Sequence, residues 1–273
     1  MKKRLLLLVN VSFLFFIKSY SQARDNQLSV SIGPSFPLGS YADKNLSDEK
    51  SGIATTGGSF YLSYVRKTQK KINIVASLRG QINPLDRSSI ERSFSEFKIS
   101  FGSFIAWSGS GPPPVVPQNG TSYSNWKFEE SSWDLAALLL GGYKEFNTGS
   151  SRIILTSKLQ AGPVYASSPK LSGSSITDTT IIQVSQTSAS SLGIGYLASA
   201  GIKIKTAENV CVLANLEYFG TNNITFKNIV AKMIGVKNMS NPATMVTFQN
   251  TVSSNSKQTI SSINFCVGIG VRL

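Results

Sequence analysis

The C-terminal stretch Thr259–Leu273, TISSINFCVGIGVRL, alternates apolar and small or polar residues with a period of two. Successive side chains of an extended strand point to opposite sides, so one face is apolar: Ile263, Phe265, Val267, Ile269, Val271 and Leu273. An apolar strand that runs to the last residue is a poor sheet edge in water, because its unpaired backbone invites aggregation. Such a strand is stable where it pairs with the first strand and closes a barrel whose outer face meets lipid.

The N-terminus has the pattern of a secretory signal peptide. Lys2, Lys3 and Arg4 precede an apolar run from Leu5 to Ile17, and Ser21-Gln22-Ala23 offers a small-x-small cleavage pattern. We therefore expect residues 1–23 to be removed and residues 24–273 to form one exported domain. After Ala23 the sequence contains no run of 18 or more apolar residues, so any membrane-spanning elements are expected to be strands.

Alternating polarity predicts eight strands, at 27–36, 57–66, 72–83, 133–146, 152–166, 192–205, 209–220 and 259–273. Short turns at 68–70, 147–150 and 206–208 alternate with four long loops. This asymmetry is typical of outer-membrane barrels, with short periplasmic turns and longer extracellular loops. The pattern predicts an all-β fold, an eight-stranded antiparallel up-and-down transmembrane β-barrel in the bacterial cell outer membrane.

Alternation alone does not say which face is outside, because a soluble calyx with an apolar interior has the same period. Aromatic residues near strand ends favour lipid outside, as does the abundance of Gly and Ser on the opposite face, which suits a narrow lumen. The fourth segment, 133–146, is ambiguous in its middle, AALLLGG. Its ends predict that Trp133 and Tyr143 face outward and that Asp134 and Lys144 face inward.

Polar residues predicted to face inward form one layer of the lumen. They lie at similar distances from the periplasmic ends of their strands: Arg79, Lys158, Gln160, Asn215 and Glu217. A charge in a narrow lumen needs a partner, so we expect an ion-pair and hydrogen-bond network there. This network either fills and rigidifies the barrel or forms a gated path for ions or protons. Lys203 and Arg272 are expected to reach water at the periplasmic mouth.

The chain contains no histidine, which excludes Ser-His-Asp and Cys-His catalysis and histidine-ligated metal sites. The sequence predicts no enzyme activity, no catalytic residues, no metal and no cofactor. Cys211 and Cys266 both face inward on adjacent strands. A pairing of Asn209 with Leu273 places Cys211 opposite Val271 and Cys266 opposite Leu216, too far apart for a disulfide unless the register differs.

Two predicted loops carry candidate contact residues. Loop two, between strands three and four, is rich in aromatic residues and has a triple proline; an extra hairpin there, partner binding and packing across the barrel mouth all remain open. Loop four, 221–258, carries lysines and no acidic residue, which suits either an ordinary solvated basic loop or contact with anionic surface glycolipid through a short amphipathic piece at 226–234. The candidate contacts are Phe97, Phe101, Trp107, Trp126, Lys227, Lys232 and Lys237.

Several segments resemble the outer-membrane β-barrel domain family common in Bacteroidota: SIGPSFPLGSYAD, GSFYLSYVRK, LLLGGYKEF, LQAGPVYASSPK and VGIGVRL. The resemblance implies a small, eight-stranded, porin-like or PorT-like barrel. Together with the predicted filled or narrow lumen, the resemblance leads us to expect a structural or surface-interaction role through loops two and four. A narrow channel for ions or small solutes is the alternative, and an accessory role in secretion or surface assembly is a third. Expected partners are membrane lipid, surface glycolipid and a protein at the extracellular loops, but no nucleic acid.

Overall fold

The computed structural model describes residues 26–273 apart from 47, 49, 70, 71, 97, 100–120, 178, 179 and 238–245. The signal peptide and the candidate contacts Phe97, Phe101 and Trp107 lie outside these residues. The described part contains a short 3₁₀ turn, Gly39–Tyr41, one α-helix, α1 (Arg87–Glu96), and these strands: β1 (Gln27–Pro37), β2 (Gly57–Arg66), β3 (Asn73–Pro84), β4 (Lys98–Ile99), β5 (Thr121–Ser122), β6 (Lys127–Phe128), β7 (Ser132–Asn147), β8 (Ile153–Ser167), β9 (Leu171–Ile176), β10 (Thr180–Gln186), β11 (Ser190–Lys205), β12 (Val210–Lys237) and β13 (Val246–Arg272).

Eight of these strands form a closed antiparallel ring in the order β1-β2-β3-β7-β8-β11-β12-β13, and β13 pairs again with β1. Gln27 lies opposite Arg272 and Leu28 opposite Val271, so the last strand closes the barrel onto the first, as the sequence predicts. The short turns β2–β3, β7–β8 and β11–β12 lie at the end of the barrel that carries the start of β1 and the end of β13. We call this end proximal and the opposite end distal.

The outer face of the ring is an apolar band. Its side chains include Leu159, 70% exposed, Leu192, 73% exposed, and Ile269, 59% exposed. Alternate residues of the same strands are buried in the lumen. A continuous apolar band of this size is unfavourable in water and is the arrangement of a transmembrane barrel. In the described residues, α1 and the 3₁₀ turn are both far too short and polar to be membrane-spanning helices.

Strand β7 faces the opposite way from the sequence prediction. Trp133 and Tyr143 are buried in the lumen, whereas Asp134 is exposed and Lys144 is partly exposed on the outside. Asp134 and Lys144 lie close to the two ends of the strand, where the outer wall meets headgroups and water. Inward Trp133 donates a hydrogen bond from Nε1 to the carbonyl oxygen of Gly52, 2.8 Å away.

Beyond the ring, the distal end carries a second layer of structure that the sequence pattern predicts as loops. Strands β12 and β13 have 28 and 27 residues, well over twice the roughly 9–11 residues needed to cross a bilayer, and continue past the ring as a paired ribbon. Strand β10 pairs with the distal part of β12, β9 pairs with β10, and β6 pairs with β9. We call these strands, with the distal parts of β12 and β13, the distal sheet. The described residues of the predicted loop four, 221–237 and 246–258, are therefore strand rather than loop.

Helix α1 contributes to a separate hydrophobic core with the distal sheet. Ile90 of α1, Trp126, Phe128 and Ile182 are buried together, and Phe94 packs against them. The ring of Phe94 lies 5.1 Å from that of Trp126 and 5.0 Å from that of Phe128. The barrel therefore supports a packed distal structure rather than a set of isolated loops.

Candidate functional site

The centre of the lumen contains a three-residue charged cluster. Arg79 is on β3, Lys158 on β8 and Glu217 on β12, and all three are at least 90% buried. The Nζ atom of Lys158 donates a hydrogen bond to Oε1 of Glu217 at 2.9 Å, and Nη1 of Arg79 lies 3.7 Å from Oε2 of the same carboxylate. Because β3 and β12 are four positions apart in the ring of eight, the Arg79–Glu217 pair spans the barrel axis.

Aromatic rings surround the cationic part of this cluster. The guanidinium carbon of Arg79 lies 4.6 Å from the ring centre of Tyr61 and 4.3 Å from that of Phe219. Its Nη2 atom donates to Oε1 of Gln81. Ring faces stabilise a desolvated cation, and Arg is well suited to such a stacked environment. The cluster holds two cations and one anion, so the middle of the lumen carries a net positive charge within a ring of aromatic and amide groups.

Gln160 and Asn215 lie in the same region but have different neighbours. The Nε2 atom of Gln160 donates to Oγ of Ser77 at 3.0 Å and lies within 3.4 Å of the carbonyl oxygens of Val75 and Leu139. Asn215 is buried against Gly201, where an added Cβ would lie 2.2 Å from its Oδ1 atom. The structure thus brings Arg79, Lys158 and Glu217 into direct contact and places Gln160 and Asn215 against the barrel wall.

A second ion pair lies towards the proximal end of the lumen. Lys203 donates from Nζ to Oε1 of Glu145 at 2.8 Å and also to Oε1 of Gln27. Its side chain is 8% exposed, so the expectation that Lys203 reaches water is wrong. Glu145 was missed because the predicted orientation of β7 placed it on the outside. Its neighbour Tyr143 donates a hydrogen bond to the same carboxylate at 3.1 Å.

Distal to the charged cluster, the lumen is filled by apolar and aromatic side chains. Tyr41 and Phe226 are fully buried, and Trp133 packs edge-on against both rings at 5.8 and 5.5 Å. Leu139 and Leu197 belong to the same core. The distal half of the lumen therefore combines this apolar core with buried polar groups: the hydroxyl of Tyr41 and Nε2 of Gln81 both donate to Oδ1 of Asn83.

Both cysteines are free and face the lumen. Cys211 lies opposite Gly270 and Cys266 opposite Asn215, one residue away from the predicted register. Cys266 is in contact with the hydroxyl of Ser59, and Cys211 is close to the carbonyl oxygen of Gly270, at 3.5 Å in each case. The expectation that the two thiols are not joined agrees with their free state.

The candidate loop contacts have different environments. Trp126 is 4% exposed and belongs to the distal core, so it is not available as a contact surface. Lys227 is exposed and Lys232 is half-buried, both on the distal part of β12. The backbone of Lys237 pairs with Thr180 and Val246 at the end of β12.

An ion pair anchors the start of helix α1. Asp86 precedes the helix and accepts hydrogen bonds from the backbone N–H of Ser89 at 3.1 Å and the hydroxyl of Ser88 at 2.7 Å. The Nζ atom of Lys44 lies 2.5 Å from its other carboxylate oxygen. The ammonium of Lys44 and these hydrogen bonds hold the pKa of Asp86 well below its usual range. This N-terminal cap could have been recognised in the sequence from Asp86 and the apolar pair Ile90 and Phe94.

No protein-family profile and no curated protein matches the chain. Among solved structures it is similar to Neisserial surface protein A, with 10% identity, a TM-score of 0.43 and coverage of 91% of this chain and 97% of that chain. A major outer membrane protein from Thermus thermophilus has 12% identity, a TM-score of 0.41 and coverage of 91% and 99%. Ail, the attachment invasion locus protein of Yersinia pestis, has 12% identity, a TM-score of 0.38 and the same coverage. Similarity at this level leaves function to be argued from the chain's own geometry, and the resemblance to Bacteroidota PorT-like barrels stays a prediction.

Proposed function

We propose that the chain is a bacterial outer-membrane barrel with a closed lumen, and that it acts at the cell surface through its distal structure. The apolar outer band supports the membrane location, because only lipid makes exposure of side chains such as Leu159 and Ile269 favourable. The short turns, the start of β1 and the end of β13 then lie in the periplasm, and the distal sheet lies outside the cell.

The main support for the proposed role is that side chains fill the cross-section of the lumen. Arg79 and Glu217 meet from opposite walls, and the rings of Tyr61 and Phe219 enclose the guanidinium. The aromatic layer around Trp133 lies distal to this cluster. A solute would have to displace buried charge partners, which costs several kcal/mol per ion, so the arrangement favours a rigid plug over a channel.

The distal sheet offers the working surface. Its β12–β13 ribbon carries Lys227 and Lys257 as exposed cations, and the sequence from Thr221 to Gln258 has no acidic residue. Exposed cations near a membrane attract anionic groups, including those of surface glycolipid. We therefore propose Lys227 and Lys232 as contact residues for anionic groups, whereas Trp126 is buried and is not a contact residue.

Planar-bilayer recording on the folded barrel tests this role. Faster gel migration without heating than after heating identifies the folded barrel, and cell fractionation gives its location. We expect outer-membrane fractionation, heat-modifiable migration and no steady conductance. A steady small conductance that changes in Glu217→Ala would show that the lumen is a channel and would overturn the proposed role.

A further inference from the structure

The β12–β13 ribbon leaves one long sheet edge open. Strand β1 pairs with β13 only as far as Pro37 opposite Ser262, followed by one hydrogen bond from the backbone N–H of Leu38 to the carbonyl oxygen of Ser261. From Val246 to Thr259, β13 has β12 on one side, and among the described residues no strand pairs on the other. We call this stretch the open edge.

The direction in which the backbone groups of the open edge point follows from the hydrogen bonds that the proximal part of β13 makes. Ser261 accepts through its carbonyl oxygen and Leu273 donates through its N–H on the β1 side, whereas Arg272 and Ile260 donate on the β12 side. Backbone groups alternate between the two sides of a strand, so odd-numbered residues face the open edge. Both register shifts place the extra residue on β12, which leaves β13 regular. The N–H and C=O groups of Thr247, Gln249, Thr251, Ser253, Asn255 and Lys257 therefore point to the open edge.

This edge has few of the features that protect natural sheet edges. Proline, lysine, bulges and short length normally block pairing with another chain. The sequence from Val246 to Ser256 contains no proline, glycine or charged residue, and its bulges are on the partner strand β12. Side chains on both faces of the strand are exposed, including Thr251, Val252 and Ser253. Among the described residues, the part of the open edge from Val246 to Ser256 is therefore available to an added strand along about 35 Å, at ~3.4 Å per residue.

We propose that the open edge binds an extended, acidic segment of another protein by β-strand addition. Main-chain hydrogen bonds to the odd-numbered residues supply the binding, as in other cases of strand addition. Lys257 is exposed at the base of the edge, Lys227 is exposed on the neighbouring strand β12, and Lys232 of β12 lies opposite Thr251. With no acid in this region, these lysines select a segment that carries carboxylates. The inference rests on the outer-membrane location proposed above, which exposes the edge to the outside of the cell.

A second copy of this chain is a poorer occupant. Two barrels in one membrane present their β13 strands in the same direction, so edge-to-edge contact between them would be parallel. Parallel pairing is slightly less stable per residue than antiparallel pairing, and it would bring the lysines of both copies together. A peptide segment is free to run antiparallel.

The test uses the purified full-length barrel in detergent and a fluorescent peptide, TETVTETVTE, acetylated and amidated at its ends. The variant Thr251→Pro removes one N–H from the open edge without touching the β12 side, and proline is tolerated on edge strands. Thr251→Ala is its matched control, because it keeps the N–H. We expect saturable binding by wild type and Thr251→Ala, binding at least tenfold weaker by Thr251→Pro, and weaker binding at high salt or in Lys227→Gln/Lys257→Gln. The same peptide with alternate N-methylated residues should not bind.

Equal binding by the alanine and proline variants would exclude recognition through the edge, and failure of wild type to bind would overturn the proposal. A homodimer in the absence of peptide that Thr251→Pro dissociates would assign the edge to a second copy instead. Heat-modifiable migration, measured on each variant, reports the barrel separately. Its absence in wild type would contradict the proposed membrane barrel, whereas its presence without peptide binding would contradict only the edge inference.

Discussion

Replacing Glu217 by glutamine removes the carboxylate from the charged cluster at the centre of the lumen while keeping the shape of the side chain. Arg79, 1% exposed, and Lys158, 9% exposed, are then left as two buried cations. Neither has another anion in contact among the described residues. We expect the folded barrel to be strongly destabilised, because an uncompensated buried charge is among the most costly defects in a folded protein.

The expected loss in the free energy of unfolding follows from the distances between the Glu217 carboxylate and its two cations. At an effective dielectric constant of ~20, attraction across 2.9 Å to Lys158 is about 6 kcal/mol, and across 3.7 Å to Arg79 about 4 kcal/mol. The neutral amide of the Glu217→Gln variant no longer carries the desolvation penalty of a buried carboxylate, which is several kcal/mol. The difference is a loss of about 3–5 kcal/mol in the free energy of unfolding, which agrees with typical values for a broken buried pair.

Urea unfolding in lipid vesicles, followed by tryptophan fluorescence and by the fraction that migrates as folded barrel, measures this loss. Glu208→Gln is the matched control, because it makes the same change in the exposed turn between β11 and β12. The control should stay within about 0.5 kcal/mol of wild type. If Glu217→Gln were as stable as Glu208→Gln, the carboxylate would not be the partner of both cations.

Two further substitutions test contacts that were not predicted from the sequence. Lys203→Met should lower the free energy of unfolding by about 1–3 kcal/mol in the same assay, less than Glu217→Gln, because its partner Glu145 is 19% exposed and reaches water; an unchanged midpoint would contradict this. Asp86 has a lowered pKa in the folded chain, so its stabilisation of helix α1 is complete above its unfolded pKa of about 3.9 and is lost as pH falls below that value. Hydrogen-exchange protection of α1 should therefore drop on acidification in wild type, whereas Asp86→Asn should show less protection at neutral pH and little further change; a parallel drop in both would refute the assignment.

The ring itself could be predicted from the sequence because, in each of its strands except β7, the outward face is apolar and the inward face carries several polar or small residues. Leu28, Val30 and Ile32 of β1 alternate with serine and glycine, and the same contrast fixes the faces of β13. In β7 this contrast fails. Its inward residues Leu135 and Leu139 belong to the buried apolar core of the lumen, so both faces are apolar and periodicity cannot orient the strand.

The distal sheet could not be predicted for the opposite reason. Both faces of β13 are exposed between Thr251 and Lys257, so its side chains show no alternation that would mark a strand. Its structure comes from backbone pairing with β12. The charged cluster could be predicted from the sequence because Arg79, Lys158 and Glu217 lie at similar distances from the proximal turns. The ion pair between Lys203 and Glu145 could not be predicted, because the predicted orientation of β7 placed Glu145 on the outside of the barrel.

A spin label at Leu159 shows whether the apolar face of the barrel points into lipid. Leu159 is 70% exposed on the outer face of β8, next to the inward Lys158. A nitroxide on Leu159→Cys, with Cys211 and Cys266 replaced by Ser, reports collisions with oxygen, which concentrates in lipid, and with a water-soluble nickel chelate. In lipid vesicles we predict high oxygen and low nickel accessibility at this site. High nickel accessibility with low oxygen accessibility would place the apolar face in water and contradict the membrane barrel.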